Sequence, residues 1–147
     1  MPLLFSYGSN HPAQLMERLG HSVVSQPAFV EGRQRVFRGR SERWGGGGVA
    51  SLQQKDIGVT YGYVADVTSA DLEMLDQYEG VASGIYMRRT VKVRIPASHF
   101  VHAREAIAYV ALSREFHPPS PEYLAAVLKT IEMYWRVPGG VQDIPIR

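Results

Sequence analysis

From Val59 to Val67 the chain keeps to an uninterrupted two-residue period, with Val59, Tyr61, Tyr63, Ala65 and Val67 on one side, which is the signature of a strand. Thr68-Ser69-Ala70-Asp71 follows at once, and a Thr with an Asp three residues on can satisfy two orphan N–H groups of a new helix reciprocally. That helix carries Leu72, Leu75 and Tyr78 as its apolar face and stops at Gly80. Alternation then resumes from Tyr86 to Ile95, with Val91, Val93 and Ile95 opposite Arg88, Thr90, Lys92 and Arg94. A strand, a capped helix and a second strand in such close order leave few folds open.

The flanks extend the pattern. Pro2 to Tyr7 reads as a buried strand, and Asn10 is placed to cap a short helix from Pro12 to Leu19 that Gly20 ends. Phe29 to Phe37 carries patchy alternation and contributes strand; Gly45-Gly46-Gly47-Gly48 is a turn leading into another at Val49-Ala50-Ser51-Leu52. Glu105 to Leu112 supplies one more strand. Ser120-Pro121-Glu122 combines an N-cap, a first-position Pro and an acid at the positive dipole end, and Leu124, Val127, Leu128, Ile131 and Trp135 form one face of the helix it opens. The order implies an α+β fold built round a mixed, strongly curved sheet. No repeat, low-complexity tail or long linker divides the chain, so residues 1–147 are expected to form a single domain.

Composition removes several function classes. Without cysteine there is no disulfide framework, thiolate zinc site or cysteine nucleophile. The first apolar stretch, Pro2-Leu3-Leu4-Phe5, is too short for a signal segment and has no charged residues before it, and no run is long enough to span a membrane. Cytoplasmic residence without a membrane partner is therefore expected. A formal charge of +2 favours anionic substrates without requiring nucleic acid.

Two segments carry the chemistry. Phe5-Ser6-Tyr7-Gly8-Ser9-Asn10 closes a strand in a small-residue loop at a helix start, where free backbone N–H groups can hold an anion. Glu79, in the last turn of its helix beside Tyr78, Val81, Ile85 and Tyr86, faces the negative end of the helix dipole, and dipole and desolvation both push a carboxyl pKa upward. Such a group can accept a proton and return it. Each segment also has a plain alternative. Glu79 can be a solvated residue before a C-cap glycine, and Gly8 can be present because the turn needs a positive φ. Ser9 lacks the surroundings of a nucleophile elbow.

The remaining candidates read as structure. His99 and His102 have poor metal-ligand spacing, so no metal is expected. Arg33, Arg35, Arg38, Arg40 and Arg43 could form a nucleic-acid patch but suit a solvated sheet edge better. The four glycines lack a following Lys-Ser/Thr. Tyr78, Tyr86, Tyr109 and Tyr123 suit core or rim positions.

Taken in order, Phe5-Ser6-Tyr7-Gly8-Ser9-Asn10, Gly47-Gly48-Val49-Ala50, Leu75-Asp76-Gln77-Tyr78-Glu79-Gly80-Val81, Ser83-Gly84-Ile85-Tyr86 and Pro118-Pro119-Ser120-Pro121-Glu122-Tyr123 resemble the γ-glutamylcyclotransferases over nearly the whole chain. The resemblance implies a small mixed β-barrel of about six strands with flanking helices. It also implies a cofactor-free intramolecular aminolysis that turns a γ-glutamyl amino acid or amine into 5-oxoproline and the free amine. By the same resemblance Glu79 is the catalytic acid/base, while Tyr7, Gly8, Ser9, Asn10, Tyr86, Tyr109 and Tyr123 hold the γ-glutamyl substrate. His11 departs from the apolar residue that commonly follows the loop, which bears on the choice of leaving amine. Selectivity is expected in the segments 38–48 and 99–104. Two other readings stand beside this one: a relative that removes a γ-glutamyl group from a biosynthetic intermediate or side-chain amine, and a non-catalytic binding module on the same fold. A homodimer is among the assemblies left open.

Overall fold

The computed structural model describes residues 1–41, 45–132 and 135. Its elements run β1 (Leu3–Ser6), α1 (Pro12–Leu19), β2 (Ser25–Ser41), β3 (Gly47–Asp66), α2 (Ser69–Tyr78), β4 (Tyr86–Pro96), β5 (Val101–Ala111) and α3 (Pro121–Glu132). The strands close into a barrel in the order β1-β3-β2-β4-β5, with β1 parallel to β5 and every other pairing antiparallel. This is the expected α+β fold with a mixed, curved sheet.

Among the described residues the barrel has five strands where the resemblance implies about six. The expected strands at Val49–Leu52 and Val59–Val67 are two ends of the single strand β3. Its middle, Gln53-Gln54-Lys55-Asp56-Ile57, is exposed, so hydropathy breaks there although the backbone does not. A register shift between Glu31 and Arg33 absorbs the extra β3 residues. The two-residue period of β3 also misstates its burial. Thr60 and Val64, on the supposed outer side, are as buried as Tyr63 and Ala65, because a closed barrel with α3 packed against β3 covers both faces.

Other local expectations hold with adjustments. Thr68 and Asp71 form the reciprocal cap, the Asp71 N–H donating to Thr68 Oγ1 at 3.0 Å and the Thr68 N–H to Asp71 Oδ2 at 2.9 Å. The N-cap of α1 is His11 rather than Asn10: its Nδ1 accepts from the Gln14 N–H at 3.4 Å, which releases Asn10 for the site. Gly20 stops α1 in the left-handed conformation (φ 78°). Leu72 and Leu75 are buried, but Tyr78 is exposed and Arg18 lies over its ring. Ser120 Oγ caps α3 by accepting from the Tyr123 N–H. The α3 face is centred on Tyr123, Val127, Thr130 and Ile131, with Leu124 and Leu128 at its margin; Trp135, expected on the same face, packs against the core beyond the end of α3. None of the described helices is long and apolar enough to cross a membrane.

The arginine run is no uniform solvated edge. Arg35 is fully buried inside the barrel, its Nε donating to the Tyr7 carbonyl at 2.7 Å and its Nη2 to the Tyr61 carbonyl. A guanidinium is tolerated there because backbone carbonyls take the place of water. Arg33 and Arg38 are half-buried, Arg40 is exposed, and Arg43 lies outside the described residues.

Candidate active site

The site exists because β1 is short. It separates β3 from β5 only over Leu3–Ser6, pairing with β3 from Asp66 to Tyr63. Past Ser6 the chain leaves the sheet, and no ladder joins β3 to β5 among the described residues. Backbone groups exposed along that gap still need partners, and side chains supply them. Tyr123 Oη accepts from the Ala50 N–H at 2.7 Å, and Tyr86 Oη donates to the Ala50 carbonyl at 2.9 Å. Ser51 Oγ accepts from the Ala111 N–H at 3.0 Å, and Tyr7 Oη donates to the Tyr109 carbonyl. The result is a cavity of about 600 Å³ where a ladder would otherwise continue.

All eight residues singled out in the sequence, Tyr7, Gly8, Ser9, Asn10, Glu79, Tyr86, Tyr109 and Tyr123, line this cavity. The loop enters from β1. Among the described residues, no hydrogen-bond acceptor is taken by the N–H groups of Gly8, Ser9 or Asn10, so all three remain available to a ligand. Gly8 has no positive φ, contrary to the turn-based alternative. A Cβ there would come within 3.2 Å of both Ala50 Cβ and Tyr123 Oη, so glycine answers a close approach of the loop to the cavity wall.

Glu79 arrives from the other side as the C-cap of α2. Its side chain is 15% exposed; Oε1 accepts from Asn10 Nδ2 at 3.2 Å and lies 3.7 Å from Arg18 Nη1. Arg18 Nη1 also donates to Asn10 Oδ1 at 2.9 Å. The carboxylate is therefore tied to the loop across the cavity by an amide and a cation. Sequence reasoning supplied the apolar neighbours of Glu79 and missed Arg18, although Arg18 sits one turn beyond buried Leu15 on α1, a placement that directs it toward the core side.

The aromatic wall is neutral. Burial pushes the Tyr7 and Tyr86 phenols well above their ordinary value of 10.0, with Tyr123 and Glu79 among the neighbours that add to it. Tyr123 is pushed up to about 12, first by burial and then by the Glu79 carboxylate, against the opposing Ala50 N–H. Tyr109 is raised by burial and by Asp76. Its ring lines the cavity, but its hydroxyl bonds Asp76 Oδ1 at 2.7 Å, and Asp76 is gripped by Arg88 at 2.8 and 2.6 Å. Tyr109 thus fastens α2, the helix that ends in Glu79, to β5.

Arg35 is the other residue missed. By holding the Tyr7 carbonyl it fixes the point where the loop leaves β1. His99 and His102 are exposed on the β4–β5 connection and at the start of β5, outside the cavity. No group of three or more potential metal ligands is found among the described residues.

The AIG2-like family profile matches residues 59–133. The chain belongs to the AIG2-like family. It is 31% identical over 128 residues to the Homo sapiens γ-glutamylcyclotransferase and 34% identical over 129 residues to the Mus musculus one, each alignment covering 82% of this chain and 65% of the relative. The chain thus spans 65% of the length of these curated relatives. A solved γ-glutamyl cyclotransferase superposes with a TM-score of 0.81 at 26% identity, over 90% of this chain and 79% of that one. The barrel of this AIG2-like protein is therefore the γ-glutamylcyclotransferase fold. The family match begins inside β3 and ends past α3, so it takes in Glu79 and the three later tyrosines but not the loop.

Proposed function

We propose that the protein is a γ-glutamyl cyclotransferase, releasing 5-oxoproline and a free amine from a γ-glutamyl donor. The observation that carries the reading is one cavity lined both by Glu79 and by Gly8, Ser9 and Asn10, whose backbone N–H groups take no acceptor among the described residues. The names of the human and mouse relatives support it.

The reaction needs little more than these groups. In the donor, the α-ammonium must become an amine before its nitrogen attacks the γ-carbonyl carbon. The new C–N bond closes a five-membered lactam as the old one, to the leaving nitrogen, breaks. Two protons pass from the α-nitrogen to the departing nitrogen, which leaves as an ammonium. A carboxylate that takes a proton from one nitrogen and delivers it to the other, twice, ends unchanged. Glu79 fills that role. The loop N–H groups would bind the donor's α-carboxylate, an anion-binding arrangement that needs no charged side chain. Holding donor and base together supplies the near-attack geometry. The neutral phenols around them add no competing charge.

The test is Glu79→Gln. It preserves shape and its amide oxygen can still accept from Asn10 Nδ2, but it cannot shuttle protons. Formation of 5-oxoproline from a γ-glutamyl panel should fall by roughly 10²–10⁴-fold in a variant that still binds donor by calorimetry. Near-normal turnover by the folded variant would remove Glu79 from the reaction.

A further inference from the structure

A second cavity, of about 440 Å³, abuts the first. Arg40, Val49 and Ile85 line both. Neither Glu79 nor any loop residue reaches the second, whose wall is completed by Arg38, Glu115 and His117. It is a built feature. Gly39 N–H donates to the Glu115 carbonyl at 2.9 Å, Gly48 N–H donates to the Pro118 carbonyl at 3.0 Å, and Arg38 bridges Phe116. A side chain at Gly48 would collide with the His117 backbone, so glycine is what lets this segment lie against the end of β2 and β3.

Resting on the cyclotransferase reading, we propose that this second cavity is the leaving-group subsite and that Arg40 selects leaving amines that carry a carboxylate. If the γ-glutamyl half lies between the loop and Glu79, the scissile nitrogen and its substituent extend toward the shared wall. Arg40 stands there at the end of β2, its Nε 3.4 Å from His117 Nδ1. Arg38 adds a second positive charge, while its guanidinium is spent on the Phe37 carbonyl and Gln53. Among the described residues the acidic group lining the cavity is Glu115, which is 83% exposed and lies 3.4 Å from His117 Nε2. Its field is screened by solvent, and the balance favours an anion. Of the two segments expected to govern selectivity, the first contributes Arg38, Gly39 and Arg40 to this cavity, and no residue of 99–104 lines it.

The experiment compares three donors of similar length: γ-glutamyl-alanine, γ-glutamyl-ethylamine and a γ-glutamyl diamine whose free end is an ammonium. Wild type should prefer γ-glutamyl-alanine in kcat/KM. Arg40→Gln should cut that preference over ethylamine by tenfold or more, mainly through KM, as loss of a charge-assisted contact would. Arg40→Lys should restore part of it, and Arg40→Glu should turn the preference toward the diamine. An Arg40→Gln variant that slows alanine and ethylamine donors equally, or a wild type indifferent to the leaving group, overturns the assignment while leaving the cyclotransferase reading intact. Wild type that releases 5-oxoproline from none of the donors overturns both.

Discussion

Ala50 is the point at which the site can be taken apart most informatively. Its N–H and its carbonyl are each satisfied by one phenol, Tyr123 and Tyr86, and the residue is 3% exposed. Tyr123→Phe keeps the ring against Phe37 and removes the acceptor. An orphaned buried N–H costs about 1–3 kcal/mol, and for a chain of this size each kcal/mol lowers Tm by roughly 2–4 °C. We expect a Tm drop of roughly 2–12 °C, with turnover reduced by less than about tenfold because no proton path runs through this hydroxyl. Tyr86→Phe should behave alike, and the double variant should lose less than the sum, since both changes release one peptide group. The pH dependence gives an independent check. The Tyr123 pKa is raised from 10.0 to about 12 on folding, so its contribution is complete below pH 10 and is lost as pH rises through the folded value. That amounts to on the order of 3 kcal/mol. Urea denaturation at pH 8, 10 and 11 should show wild type weakening above pH 10 more steeply than Tyr123→Phe. A Tyr123→Phe protein with unchanged Tm and pH profile but abolished turnover would refute the clamp and make this phenol a catalytic group.

Three further outcomes follow from the same geometry. Gly8→Ala, whose new Cβ meets Ala50 and Tyr123 at 3.2 Å, should raise KM, whereas Ser9→Ala keeps its N–H and should lose at most about 1 kcal/mol in kcat/KM; a dead Ser9→Ala variant with a γ-glutamyl adduct in quenched wild type would mean covalent catalysis. Arg35→Met removes the guanidinium's two bonds to the carbonyls of Tyr7 and Tyr61, at about 1.5–3 kcal/mol for each bond to the charged group, so urea stability and donor affinity should fall together. Exhaustive chelation should leave 5-oxoproline release unchanged; loss of turnover restored by one divalent ion would contradict a reaction carried by Glu79 and backbone amides.

Local patterns were enough for the elements whose causes are local. The Thr68–Asp71 cap, the stop at Gly20, the alternation of β4 and the start of α3 at Ser120 are all decided within one or two turns of chain. The loop and Glu79 were also legible, through the order and separation of their segments rather than the chemistry of either alone. Tertiary structure decided the rest because the deciding partners lie far apart in sequence. Merging of two expected strands into β3 depended on a polar ribbon that only β2 pairing holds extended, and the burial of both β3 faces depended on barrel closure. Arg35 reads as one member of a basic run until carbonyls from β1 and β3 surround it. Asn10 loses its expected cap to His11 because Glu79 and Arg18, contributed by α2 and α1, engage it across the cavity. The cavity itself follows from the short β1, and its tyrosines are placed by backbone groups that the missing ladder leaves unpaired.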